Sequence, residues 1–181
     1  MVLDHRQVDT GDDDRYWLSA RRVTGYPRIA RDGYFPTHGV TRPAAVTVAD
    51  LPPADSDAVR ALDECALESR LTSGTWEVPV TDDVLSRWRA ILADVSAEQF
   101  WDAKLTTAAG RDALGYDEYV VAVYTPTYFD TADVFRVRDR LRTHHDVTAE
   151  IRYRPDVYVR NGIDDETAPE WGLDDAARFR D

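Results

Sequence analysis

The sequence predicts an α+β fold: a curved, mostly antiparallel sheet with about three helices packed on one face. Three observations carry that expectation. Short stretches such as TWEVPV and EYVVAVYT have the apolar content and period of strands. Three longer stretches, beginning near residues 56, 81 and 131, repeat apolar residues at helical spacing. The order along the chain is strands, helix, strand, helix, hairpin, helix, strand, with no internal repeat, low-complexity tract or linker, which suits a helix-backed sheet.

Residues 1–14 read as a flexible acidic tail, and residues 15–175 as a single domain. The pieces YWLSARRV and DGYFPTHGV, broken by Gly25, Pro27, Gly33, Pro36, Gly39 and Pro43, suggest short strands and turns. SDAVRALDECALESR places Val59, Leu62 and Ala66 on one helix face, with Ser56 as its cap. Trp76, Val78 and Val80 then alternate with Glu77 and Pro79; a proline puts that strand at an edge or a bulge. From Thr81, Leu85, Trp88, Ile91, Leu92 and Val95 form an apolar stripe, and Asp82 and Asp83 suit the positive end of a helix. FWDAKLTT reads as a short strand, AAGRDALGYD as a loop and EYVVAVYT as the most buried strand. Asp130 or Thr131 caps a third helix, with Val134, Val137 and Leu141 facing the core, ending in RTHHD. IRYRPDVYVRNGI gives a last strand broken at Pro155, followed by an acidic tail.

Aspartate dominates the charge. The chain has 26 Asp, 8 Glu and a single lysine, Lys104, among 22 basic residues, for a net charge of −12. Abundant short carboxylates with almost no lysine fit a protein that works in concentrated salt, so the acidity describes the solvent more than the partner. One cysteine, Cys65, excludes an internal disulfide. No apolar run reaches the ~18 residues of a membrane span, and the N-terminal stretch lacks the apolar core of a signal peptide. A soluble, cytoplasmic protein with no membrane partner is expected.

Most familiar chemistries find no support. The nine glycines are scattered and form no phosphate loop. His144 and His145 are adjacent and cannot face one metal from a helix, and His5 and His38 lie in irregular regions. No serine sits in a nucleophile elbow. Neither a metal nor a cofactor is expected.

What remains is cationic. Between Arg136 and Arg160, seven arginines stand against four acids. Side chains alternate along IRYRP, so Arg152 and Arg154 share one face, about 7 Å apart. Two guanidinium forks at that spacing suit a phosphate or a carboxylate. Paired with the many aspartates, they would form only a solvated, neutralised surface. Lys104 has the same two readings. It is either a surface residue not replaced by arginine, or a group whose task arginine cannot perform: a compact cation, or a base whose pKa falls on burial or near other cations. Trp17 and Trp171 lie in less regular parts, where they pack as core or lid or stack on a base.

Four phrases occur in one order: SGTW at 73–76, AKLTT at 103–107, VAVYTPTYFDTADVFRVRDRLR at 121–142 and YRPDVYVRNGI at 153–163. Together they resemble the family of the basophilic leukaemia expressed protein, over roughly residues 65–165. Archaeal members of that family are labelled phosphothreonine lyase domain-containing proteins. The resemblance implies a fold similar to the cap-binding translation initiation factor, and no established reaction. A phosphothreonine lyase uses a lysine base and a histidine acid in a Lys-x-His pattern. Lys104 matches the lysine, but Thr106 stands in the histidine position, and threonine is a poor general acid.

The leading expectation is therefore a domain that binds a phosphorylated or other anionic ligand on its sheet face. Lys104, Thr106, Arg152 and Arg154 are its candidate site, and Lys104 is the candidate catalytic residue if there is a reaction. The ligand would be a phosphorylated small molecule, a peptide or a nucleotide. The alternatives are a phosphothreonine lyase-type eliminase and RNA or nucleotide binding through a tryptophan and the arginines.

Overall fold

The computed structural model of the chain describes residues 16–20 and 32–181. The acidic tail, His5 and the turn residues Gly25 and Pro27 lie outside the described residues. Strands β1 (Trp17–Ser19), β2 (Gly74–Val80), β3 (Asp102–Thr106), β4 (Tyr119–Thr125), β5 (Arg152–Pro155) and β6 (Phe179–Arg180) form one six-stranded sheet in the order β1-β3-β4-β2-β5-β6. Every neighbouring pair is antiparallel. The α+β expectation holds, and within EYVVAVYT the residues Tyr119–Thr125 form a central strand with all but Tyr119 buried.

The described α-helices are α1 (Tyr34–His38), α2 (Asp57–Ser69), α3 (Val84–Ser96), α4 (Ala108–Leu114), α5 (Thr131–His144) and α6 (Asp156–Arg160). Local chemistry sets the starts of the three long ones. Ser56 Oγ accepts the Val59 N–H, an Asp83 carboxylate oxygen accepts the Ser86 N–H, and an Asp130 oxygen accepts the Asp133 N–H. Their apolar faces meet one side of the sheet. Leu62, Leu85, Trp88, Ile91, Leu92, Val134, Val137 and Leu141 bury with Trp76, Val121, Val123, Leu105 and Tyr153 in one core. Trp88 and Trp76 are both fully buried.

Four expectations need correction. DGYFPTHGV is not a strand: Tyr34–His38 form a helical turn that lies against the other side of the sheet, with Tyr34 packed in a cluster with Ala122 and Tyr124. AAGRDALGYD is not a loop, because Thr107 caps a short helix that Gly115 ends at φ 69°. The last strand does not run through Pro155; Asp156 begins α6 instead. The domain does not end at residue 175, since β6 pairs with β5 and the Arg178 guanidinium reaches the buried Asp63 carboxylate at 3.1 Å.

Pro79 sits where a proline costs least. The β2–β5 ladder runs from Gly74–Pro155 to Glu77–Arg152 and stops. Asp156 donates its N–H to the Ser73 carbonyl, so Ser73, Thr75, Glu77 and Pro79 turn their peptide groups toward β5. The next pair would require an N–H that Pro79 lacks. The central strand is thus locally an edge at Pro79.

Three of the four phrases singled out in the sequence meet at one end of the sheet. The Tyr153 ring lies so close to Gly74 that a Cβ there would stand 2.7 Å from it. The Tyr153 hydroxyl shares a hydrogen bond with Thr125 Oγ1, and Ser73 donates its hydroxyl to the Asp156 carboxylate. SGTW, the end of β4 and YRPD are therefore mutually fitted, which is a packing role.

Candidate functional site

Alternation along the strands assigns the predicted site residues to the face turned away from the long helices. Register places Arg152, Glu77, Ala122, Lys104 and Ser19 side by side in one row across β5, β2, β4, β3 and β1. A second row holds Arg154, Thr75, Tyr124 and Asp102. Lys104, Arg152 and Arg154 lie on one face of the sheet. Three interstrand steps separate Lys104 from Arg152, roughly 14 Å, so no single phosphate touches both.

The face has two halves of different character. Around Lys104 it is aromatic and largely covered. Trp17, Tyr34, Phe35, Val40 and Trp101 cluster over Ala122 and Tyr124. The Lys104 ammonium stands 4.9 Å from the centre of the Tyr124 ring. Thr106 is fully buried, and its hydroxyl oxygen accepts the Val120 N–H at 2.9 Å, which holds β3 on β4.

The other half is charged and open. Arg152 donates from Nε to Glu77 at 2.7 Å and from Nη1 to Asp165. Burial alone would lower the Arg152 pKa, but the Glu77 and Asp165 carboxylates outweigh it and hold the pKa above its usual value. Arg154 donates from Nη2 to the Ile163 carbonyl at 2.6 Å and approaches Glu77 only at 3.8 Å. Its Nε is buried with no acceptor among the described residues. Tyr116, which the sequence did not single out, belongs to this group. Burial raises its pKa, the Glu77 carboxylate raises it further, and Arg154 and Arg152 pull it back. Beside Tyr116 lies an opening of about 210 Å³ floored by Pro79 and Val120 and lined also by Arg152 and Arg180.

The helix arginines are neutralised. Arg136 pairs with Asp133, Arg140 with Asp94, and Arg138 and Arg142 with Asp181. The described histidines are not gathered round Lys104. His145 donates from Nε2 to the Asp94 carboxylate at 2.7 Å and packs on Phe100 in the helix layer, His144 bonds Thr143, and His38 reaches the Glu98 carbonyl at 2.8 Å. Among the described residues no group of three or more His, Cys, Asp or Glu could hold a metal, and no helix is long and apolar enough to cross a membrane. Trp171 is exposed, whereas Trp17 packs in the aromatic cluster.

Comparison with solved structures finds two complexes of a schistosome eIF4E with 4E-BP. With the one that also holds m7GpppA, the chain shares 15% identity and a TM-score of 0.41, covering 72% of each chain. With the one that holds m7GpppG, the values are 15% and 0.45, covering 83% of this chain and 80% of that one. No curated protein matches the chain. The family model described as "Basophilic leukemia-expressed protein Bles03" matches residues 36–161, and so begins before the residues where the motifs first suggested it. The chain is a member of the Bles03 family.

Proposed function

We propose that the chain is a binding module that takes a phosphorylated or other anionic ligand on the sheet face turned away from the long helices. The observation that carries this reading is Arg152 at an opening, with the neighbouring Arg154 keeping a buried Nε that has no acceptor among the described residues. Among the described residues, the acids ion-paired with these two guanidinium groups are Glu77 and Asp165. Donor capacity that the fold leaves unused is capacity for a ligand. Lys104 supplies a second cationic point for a ligand long enough to span the row, and Thr106 keeps its strand in place.

Elimination from phosphothreonine is the rival reading. Lys104 as base would need an acid near it, and the described histidines are engaged elsewhere. A nucleotide or RNA is favoured by one feature, the aromatic cluster of Trp17 and Tyr124 next to Lys104. We take the working compartment to be a cytoplasm rich in salt, on the aspartate excess alone.

The test is a titration of phosphopeptides and nucleotides into the wild type and Arg152→Ala in molar KCl. At ~1 M salt the Debye length is near 3 Å, so only direct hydrogen-bonded contacts hold a ligand. Binding that Arg152→Ala loses supports the reading. Equal binding by both proteins, or by neither, refutes it.

A further inference from the structure

The opening beside Pro79 is a consequence of one residue. Because Pro79 cannot extend the ladder, β2 and the chain leading into β5 part, and an apolar floor of Pro79 and Val120 is left between them. At about 210 Å³ this space fits one ring and a small substituent better than a nucleoside. Tyr116 lines it, and no described residue holds the Tyr116 hydroxyl.

Arg152 stands at the mouth, held by two carboxylates of unequal tenure. Glu77 is nearly buried, its side chain 13% exposed, while Asp165 is 53% exposed on the turn that ends with Thr167. An exposed ion pair contributes about 0–1 kcal/mol, so Asp165 is readily exchanged. A monoanion replacing it gains nothing in charge. A phosphomonoester dianion brings a second charge and three acceptor oxygens, enough for Arg152 and the Tyr116 hydroxyl together. The other rim acid, Glu150, is already taken by Arg180 at 2.9 Å.

We propose that this opening is a site for the phosphomonoester of a single aromatic ring, with the ring on Pro79 and Val120 and the phosphate replacing Asp165 at Arg152. The proposal rests on the anion-binding reading above and narrows it to a ligand class. It also gives Asp165 a role, that of an internal stand-in for the ligand's phosphate.

The experiment is calorimetry on the full chain with phenyl phosphate, methyl phenyl phosphate, benzoate and inorganic phosphate, against the wild type, Asp165→Asn and Tyr116→Phe. Phenyl phosphate is expected to bind, and the diester and benzoate to bind about tenfold more weakly, for want of the second charge. Asp165→Asn should tighten phenyl phosphate about three- to tenfold by removing the competitor, with an unchanged melting temperature showing that the fold is intact. Tyr116→Phe should weaken it. Two further arms identify the source of the ring: a phosphotyrosine peptide is expected to bind like phenyl phosphate, and AMP more weakly. Methyl phenyl phosphate binding as tightly as phenyl phosphate, AMP binding as tightly, or no gain in Asp165→Asn would overturn the proposal. Binding of phosphothreonine peptides or nucleotides without phenyl phosphate would sink this site and leave the broader reading standing. Silence from every phosphorylated probe would remove both.

Discussion

Trp76 donates its indole N–H to the carbonyl of Val134, 2.8 Å away, and so ties the central strand β2 to the first turn of α5. The ring is fully buried, edge-on to Tyr153 and near Phe135. A tryptophan, unlike a phenylalanine, satisfies the polar carbonyl and fills the space beneath it. Trp76→Phe should cost about 1–3 kcal/mol, from the lost hydrogen bond and the smaller ring. Urea denaturation measures it. A variant as stable as the wild type would show that the strand–helix tie is redundant.

A second prediction concerns Asp94, on α3. Its carboxylate receives the Arg140 guanidinium at 2.6 and 2.7 Å and the His145 ring at 2.7 Å. Burial alone would raise the Asp94 pKa, but the hydrogen bonds from Arg140 and His145 outweigh it, and the folded value lies below the usual one. A depressed acid contributes stability that is present above the unfolded value, about 3.9 for Asp, and is lost as pH falls through the folded value. Asp94→Asn should therefore be less stable than the wild type by about 1.5–3 kcal/mol at pH 7, and the gap should begin to narrow as pH falls below the usual carboxylate value and close only below the lower folded value. A gap that does not narrow at all on acidification would mean that Asp94 acts by shape and not by charge.

The third concerns the fastening of the last strand. The Arg178–Asp63 pair is nearly solvent-free, at 4% and 0% side-chain exposure, and Tyr128 also donates its hydroxyl to Asp63 at 2.9 Å. Arg178 reaches the Pro53 carbonyl as well. Removing one member of such a pair leaves the other charge buried and uncompensated. Asp63→Ala should cost about 3–5 kcal/mol. The double variant Asp63→Leu with Arg178→Met should recover much of that loss, because an apolar pair needs no compensation. If the double variant is the less stable of the two, the pair stabilises the fold outright.

Much of the fold was legible because period and capping are local. The stripe from Leu85 to Val95 and the caps Ser56 and Asp130 announce helices without reference to anything distant. The misread segments have tertiary causes. Tyr34 is helical with its ring buried on Asp133 and Arg136, residues about a hundred positions away that no local pattern reveals. Residues 108–114 form a helix too short for an apolar stripe, with only Thr107 and Gly115 to signal it. The site was half legible. Alternation alone put Arg152 and Arg154 on one face. That Glu77 would stand between them and Lys104 needed the register of four strands, and Tyr116 carried no signal at all.

The single lysine remains the sharpest test of the function. Lys104 lies half-buried beside Ala122, the smallest side chain of its row, with its ammonium against the Tyr124 ring. A guanidinium is planar, bulkier and never gives up its proton in the physiological range. If Lys104 is a cationic point for a ligand that spans the face, Lys104→Ala should weaken binding of a long phosphorylated ligand about five- to tenfold, roughly 1–1.4 kcal/mol. Lys104→Arg should keep part of it. If Lys104 is a base, Lys104→Arg should abolish a reaction. Incubation with a phosphothreonine peptide, followed by mass spectrometry for loss of phosphoric acid, separates the two. The expected result is no elimination by the wild type: Thr106 stands in the histidine position, its hydroxyl buried and bonded to Val120, and His145 is held by Asp94 in the helix layer. Turnover by the wild type that vanishes in Lys104→Arg would overturn the binding reading and make the chain an eliminase.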